Sequence, residues 1–131
     1  MKVSVIGLGF VGHAMSAICA NSKKINHVFG IENNSSKGHN IVNDINKKKK
    51  LPISSEDKFL DKTFQINLRK KKITVSTNYN NIFLSDVIIV SVNFDLNYSS
   101  KKKYFLEFSN LLDLTNKIGE YIKKNSLILF E

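Results

Sequence analysis

Three glycines near the start of the chain, Gly7, Gly9 and Gly12, lie in the spacing G-x-G-x-x-G. An acidic residue, Glu32, follows 20 positions after Gly12. Glycines so spaced between a strand and a helix bring backbone N–H groups up to a diphosphate. Gly7 permits the tight turn, Gly9 leaves no Cβ in the way of a pyrophosphate, and Gly12 lets the helix pack closely on the strand. Leu8, Phe10 and Val11 fill the loop between them. The opening turn of the helix adds unpaired N–H groups and a partial positive charge. A carboxylate at the place of Glu32 accepts hydrogen bonds from the ribose hydroxyls of an adenosine. A turn that keeps this shape and binds nothing is the bland reading of the glycines alone. A solvated strand end is the bland reading of Glu32. Glycines, strand, helix and acid together point to a dinucleotide.

Those groups work only if strands and helices hold them in one crevice. Short Val- and Ile-rich runs read as strands over Lys2–Ile6, His27–Ile31, Ile73–Thr77, Val87–Ser91 and Leu127–Phe130. Several are apolar on both faces, as strands of a covered parallel sheet are. Helical patterns lie between them: Phe10–Asn21, Ser35–Ile45, Glu56–Leu68, a short turn at Asn80–Leu84, and Tyr104–Lys123. In the last, Phe105, Phe108, Leu111, Leu112, Thr115, Ile118 and Ile122 recur at the spacing of one buried face. Strands separated by helices make βαβ units with right-handed crossovers. The crevice at the carboxyl ends of the strands then collects Gly7 to Gly12, Glu32, Thr77 and Asn93.

Composition bounds the rest. With 131 residues, 42% of them apolar, the chain makes one domain with a real core. No apolar run approaches membrane-spanning length and no signal peptide is apparent, so a cytoplasmic protein is expected. One cysteine, Cys19, excludes an internal disulfide. The net charge of +9 is nearly all lysine, in runs at Lys47–Lys50, Lys70–Lys72, Lys101–Lys103 and Lys123–Lys124, with one arginine, Arg69. Without clustered arginine or aromatics this reads as solvated surface or attraction for an anionic ligand, and not as a nucleic-acid reader. Cys19 sits mid-helix and reads as a core thiol. His13 reads as packing, with an approach to the pyrophosphate as the alternative. His27 and His39 share no ligand spacing, so no metal is expected. Asp86 shapes the turn into its strand.

"MKVSVIGLGFVGHAMSA" resembles the opening of the UDP-glucose/GDP-mannose dehydrogenases, which oxidise nucleotide sugars with NAD. Other stretches resemble the family in order: "GIENNSSK", "LPISSEDKFL" with Pro52 and Glu56, "ITVSTNYNNIFLSDVIIVSV", and "IGEYIKKNSLILFE". The resemblance implies that Lys37 helps hold the adenosine ribose and that Thr77 touches the cofactor. It covers the whole chain but only the family's N-terminal part. Two local departures are Ser91-Val92-Asn93 where the family has Thr-Pro-Thr, and Glu32 where aspartate is commoner. The chain also stops at Glu131, before the family's Ser-Thr segment, central helix and sugar-binding domain with its catalytic cysteine.

The expected fold is therefore α/β: a Rossmann-like, doubly wound parallel sheet of about five strands in the order 3-2-1-4-5, with helices on both faces. The expected cofactor is NAD, preferred over NADP because Glu32 would repel a 2′-phosphate. The resemblance implies a truncated domain that binds NAD without turnover and carries no catalytic residue of its own. It implies a nucleotide-sugar substrate held elsewhere, a homodimeric full-length protein, and a monomeric or weakly associating fragment. A nucleotide-sensing module of the potassium-transport type, and a dehydrogenase of the 6-phosphogluconate or hydroxyacid type, are the competing readings.

Overall fold

Residues that alternate along each strand divide the core in two. A computed structural model describes residues 1–48, 57–92, 96–98, 104–106 and 108–131. The chain runs β1 (Lys2–Ile6), α1 (Phe10–Asn21), β2 (His27–Ile31), α2 (Ser36–Asn43), α3 (Lys58–Arg69), β3 (Ile73–Ser76), a 3-10 turn (Tyr79–Leu84) and β4 (Val87–Val90). There follow β5 (Leu96–Tyr98), β6 (Tyr104–Leu106), α4 (Ser109–Tyr121) and β7 (Leu127–Phe130). Five strands pair in parallel in the order β3-β2-β1-β4-β7. This is the expected order, with β7 as the fifth parallel strand at one edge.

Val3 and Val5 of β1, Val28 of β2, Ile73 and Val75 of β3 and Ile89 of β4 face one side. There they meet Ala17 and Ala20 of α1 and Phe64 and Leu68 of α3. The alternate residues, Ile6, Phe29, Ile31, Ile88 and Val90, face the other side. They meet Ile82 of the 3-10 turn and Leu114 and Ile118 of α4. The period of two sends the apolar residues of β1, β2 and β4 both ways, so both faces need helices. No helix among the described residues is long and apolar enough to cross a membrane.

Helix ends follow local chemistry. Ser35 caps α2 by accepting the Gly38 N–H at 3.1 Å, and Asp57 caps α3 by accepting from Phe59 and Leu60. Past Asn43, α2 widens into a π turn over Asp44–Lys48. Pro52 and Glu56, and so the expected start of α3 at Glu56, lie outside the described residues.

The last helical segment differs from the sequence reading. Tyr104–Leu106 is a strand, paired antiparallel with Leu96–Tyr98, and the helix starts only at Ser109. Tyr104 and Phe105 favour an extended backbone, and a second short strand gives them a partner. The buried stripe of α4 is also displaced from the one read, which did not include Leu114. Leu114 and Ile118 are buried, whereas Phe108 and Leu112 are 48% and 60% exposed. Six apolar residues and Thr115 at mixed 3-and-4 spacing span more of the helix circumference than one sheet face covers.

The strands' amino ends are tied together by polar groups. Asp86 accepts the Lys2 N–H at 2.8 Å and the Lys123 ammonium at 2.7 Å. The buried Ser4 and Ser85 hydroxyls meet at 2.7 Å. Asp86 thus does shape the entry to β4, as its position implied.

Candidate functional site

The turn from β1 to α1 has the geometry its glycines demand. Gly7 has φ +85°, and a Cβ there would lie 2.2 Å from the Ser91 carbonyl oxygen of the neighbouring strand's loop. A Cβ on Gly12 would lie 1.8 Å from the Gly7 carbonyl oxygen, so any larger residue would lift the helix off the loop. Gly9 is different: nothing stands within 4 Å of a Cβ built there. Its open side is where a diphosphate would approach.

The first intrahelical bond of α1 runs from the His13 N–H to the Gly9 carbonyl, at 3.0 Å. The N–H groups of Phe10, Val11 and Gly12 precede it and have no intrahelical acceptor. Gly9 itself caps the helix with no side-chain bond. Phe10 and Val11 are exposed at 59% and 43%. Leu8 turns inward, 1% exposed, and packs into the α1–α3 core.

Glu32 follows the last residue of β2. Its backbone N–H donates to the Ser76 carbonyl at 3.0 Å, which continues the ladder to β3. Its side chain is 8% exposed. Oε1 accepts the Leu8 N–H at 2.6 Å, and Oε2 accepts the Asn33 N–H at 3.3 Å. The carboxylate therefore stands directly against the glycine turn.

Beside it opens a polar cleft lined by Asn34, Thr77, Asn78, Tyr79, Lys117 and Tyr121, among others. Burial, and then the Glu32 charge, push the Tyr79 phenol above its ordinary range. The Lys117 ammonium sits 5.5 Å from the centre of the Tyr79 ring. Thr77 is thus brought into the crevice region, just past the end of β3. Lys37 stands exposed on the first turn of α2. Asn93 lies outside the described residues. Tyr79 and Lys117 were missed by the sequence reading. Tyr79 is only two residues past Thr77, so proximity was a usable signal. Lys117 arrives from α4 through tertiary packing, which no spacing reveals.

His13 does not approach the turn's open side. It is 2% exposed and faces α3, with its ring edge-on to Phe64 at 4.6 Å between centroids. Its Nε2 and the Asp61 carboxylate stand 4.0 Å apart. Burial lowers its pKa, and the Asp61 charge opposes that in part. Cys19 is half-buried against the same core, and burial raises its pKa. It is a packing thiol near the C-terminal end of α1, the end opposite the glycine turn.

Residues 1–131 match the model of the UDP-glucose/GDP-mannose dehydrogenase family, NAD binding domain. The chain belongs to that family. It is an NAD-binding domain of an oxidoreductase family, on a Rossmann-like fold. Solved structures agree on the fold. An NDP-N-acetyl-D-galactosaminuronic acid dehydrogenase from Methanosarcina mazei Go1 superposes with TM-score 0.84 at 22% identity, over 99% of this chain and 27% of that one. A UDP-D-ManNAc dehydrogenase from Pyrococcus horikoshii gives 0.81 at 22% identity, over 100% and 28%. A GDP-mannose dehydrogenase from Pseudomonas aeruginosa, solved as a ternary complex, gives 0.74 at 19%, over 99% and 28%. The chain thus spans a little over a quarter of the length of these structures. Comparison with curated protein sequences finds no match.

The site fits the cofactor. Its glycine cradle is closed to any Cβ at Gly7 and Gly12 and open at Gly9, and a buried carboxylate adjoins it.

Proposed function

We propose that this chain is the N-terminal domain of a nucleotide-sugar dehydrogenase that oxidises a UDP- or GDP-sugar alcohol to the uronate with two NAD. The observation that carries it is the joining of the glycine turn and Glu32 in one place, in a chain that matches the family's NAD-binding domain over its whole length. Bound NAD supplies a hydride acceptor. The chain's own residues bind and orient it. Gly9 and the N–H groups of Phe10, Val11 and Gly12 face the diphosphate, and Glu32, helped by Lys37, takes the adenosine ribose. Thr77 lines the crevice further along. Acid–base and thioester chemistry, and the choice of sugar, belong to the sugar-binding part that the longer relatives carry. On this proposal the protein works in the cytoplasm, in polysaccharide biosynthesis. The full-length protein is a homodimer and the chain alone a monomer or a weakly self-associating one.

Calorimetric titration tests the binding and absorbance of reduced nicotinamide tests the turnover. The 131-residue chain is expected to bind NAD more tightly than NADP, and to reduce no NAD with UDP-glucose or GDP-mannose. Glu32→Ala removes a ribose contact of charged hydrogen bonds worth about 1.5–3 kcal/mol, so NAD should weaken by about 10- to 150-fold more than NADP does. Equal affinity for the two cofactors would remove the ribose role of Glu32. Turnover by the chain alone would remove the division of labour.

A further inference from the structure

We infer that Glu32 is also a positioning residue: it latches the glycine turn through the Leu8 N–H, and so supports the diphosphate end of the site independently of any ribose contact. This rests on the NAD-binding reading above.

Two successive N–H groups of the turn are held by the end of β2. The Gly7 N–H donates to the Ile31 carbonyl at 2.8 Å, and the Leu8 N–H donates to Glu32 Oε1 at 2.6 Å. The first bond is backbone to backbone and belongs to any such turn. The second needs a side chain of the right length. Leu8 cannot compensate by turning outward. Its side chain is 1% exposed and lies over Gly30, where a Cβ would sit 3.0 Å from Leu8 Cδ2. Without Glu32, the Leu8 N–H becomes a buried donor with no acceptor, a state that backbones avoid. The turn would shift to find one, and Gly9 and the first N–H groups of α1 would shift with it.

The carboxylate is itself fixed. Its backbone is pinned to Ser76, its burial is nearly complete, and no ammonium or guanidinium pairs with it among the described residues. Its negative charge thus faces N–H groups of the turn and of Asn33, which strengthens those bonds. Oε2 remains the freer oxygen for a ribose hydroxyl.

The test separates the latch from the ribose contact. NAD, and an NAD analogue whose adenosine ribose lacks both the 2′- and 3′-hydroxyls, are titrated against the unsubstituted chain, Glu32→Ala and Glu32→Gln. The analogue has nothing to donate to Glu32. The latch predicts that Glu32→Ala still weakens the analogue by about 10-fold or more, the scale of a lost charge-assisted bond. Glu32→Gln, whose amide oxygen can accept the Leu8 N–H, should recover most of that loss. Equal analogue affinity in the unsubstituted chain and Glu32→Ala would overturn the latch and leave the ribose role standing. If the unsubstituted chain binds neither ligand, the NAD reading is what fails. Amide exchange decides the latch without any ligand or substitution. The Leu8 amide should exchange at least about 10-fold more slowly than that of Gly9, since a held N–H exchanges only on opening. Equal rates would overturn it.

Discussion

Asp86 and Glu32 are two carboxylates at opposite ends of the same sheet, and both accept backbone N–H groups. Asp86 sits at the amino ends of the strands and is consumed by its surroundings. Lys2 and Lys123 take one oxygen each, and the Asp86 backbone bonds onward to Lys2 and Leu127. Glu32 sits at the carboxyl ends. It has N–H partners, no paired cation among the described residues, and an open glycine turn beside it. An acid whose charge is neutralised by the fold serves the fold. An acid held by uncharged N–H donors is not neutralised by them, and its net charge remains for a ligand. The rule predicts that changes at one end alter stability alone, and that changes at the other alter binding.

The largest effect should come where the two consequences merge. Gly12→Val drives a side chain into the Gly7 carbonyl, only 1.8 Å from the Cβ position. It should cost about 3 kcal/mol or more of stability and abolish measurable NAD binding, as read by denaturant melts and calorimetry together. A folded Gly12→Val that bound NAD normally would break the account of the turn. At the amino end, Ser85→Ala leaves the buried Ser4 hydroxyl without its partner. It should cost about 1–3 kcal/mol with NAD affinity unchanged. A matching loss of affinity would dissolve the distinction between the two ends.

The pH dependence sharpens it further. Burial lowers the pKa of His13 at the α1–α3 contact, and of His27 at the start of β2, where Lys2 adds to the effect. The folded protein thus binds protons at these sites less readily than the unfolded chain. Stability should hold above the ordinary histidine value of about 6.5 and fall as pH drops below it, until the lowered values are passed. Asp86 acts in a separate, more acidic window. The Lys123 and Lys2 bonds lower its pKa, so its contribution is present above the ordinary carboxylate range and lost as pH falls through the lowered value. Denaturant midpoints against pH should show two steps. His13→Gln should shrink the first, and Lys123→Ala the second. The smallest effect is expected from Cys19→Ala, about 1 kcal/mol or less, with NAD affinity untouched.

Much of the fold is legible in the sequence because its first half is locally consistent. β1, the glycine turn, α1 and β2 each show their own period, and both strands are buried on both faces. The bounds of β1, α1 and β2 are those read from the residues. The three glycines and Glu32 were legible because each answers a local demand: a positive φ, a close approach, an open face, an acid at a strand end. The bond between Glu32 and Leu8 was not. Spacing says where an acid stands, and not which donor its carboxylate reaches. Around α4 local and tertiary signals diverge. Tyr104, Phe105, Phe108 and Leu112 extend a helical apolar pattern, yet the first two belong to a hairpin strand and the last two are exposed. His13 reads from the sequence as packing, with the phosphates as the alternative, and the turn of the helix does aim it at Phe64.

The two outer strands of the sheet will behave differently in concentrated solution. β3 carries the polar Thr74 and Ser76 and follows three lysines, which discourage another chain from adding on. β7 is four apolar residues, and Leu127, Leu129 and Phe130 are 53%, 44% and 56% exposed. Its outer edge offers hydrogen-bonding groups along a greasy ribbon with no charge in it, the surface on which strands of separate molecules stack. Losses during purification of the chain alone should therefore begin at β7. A lysine in place of Leu129 should raise the concentration at which turbidity appears, long before it touches anything at the nucleotide end.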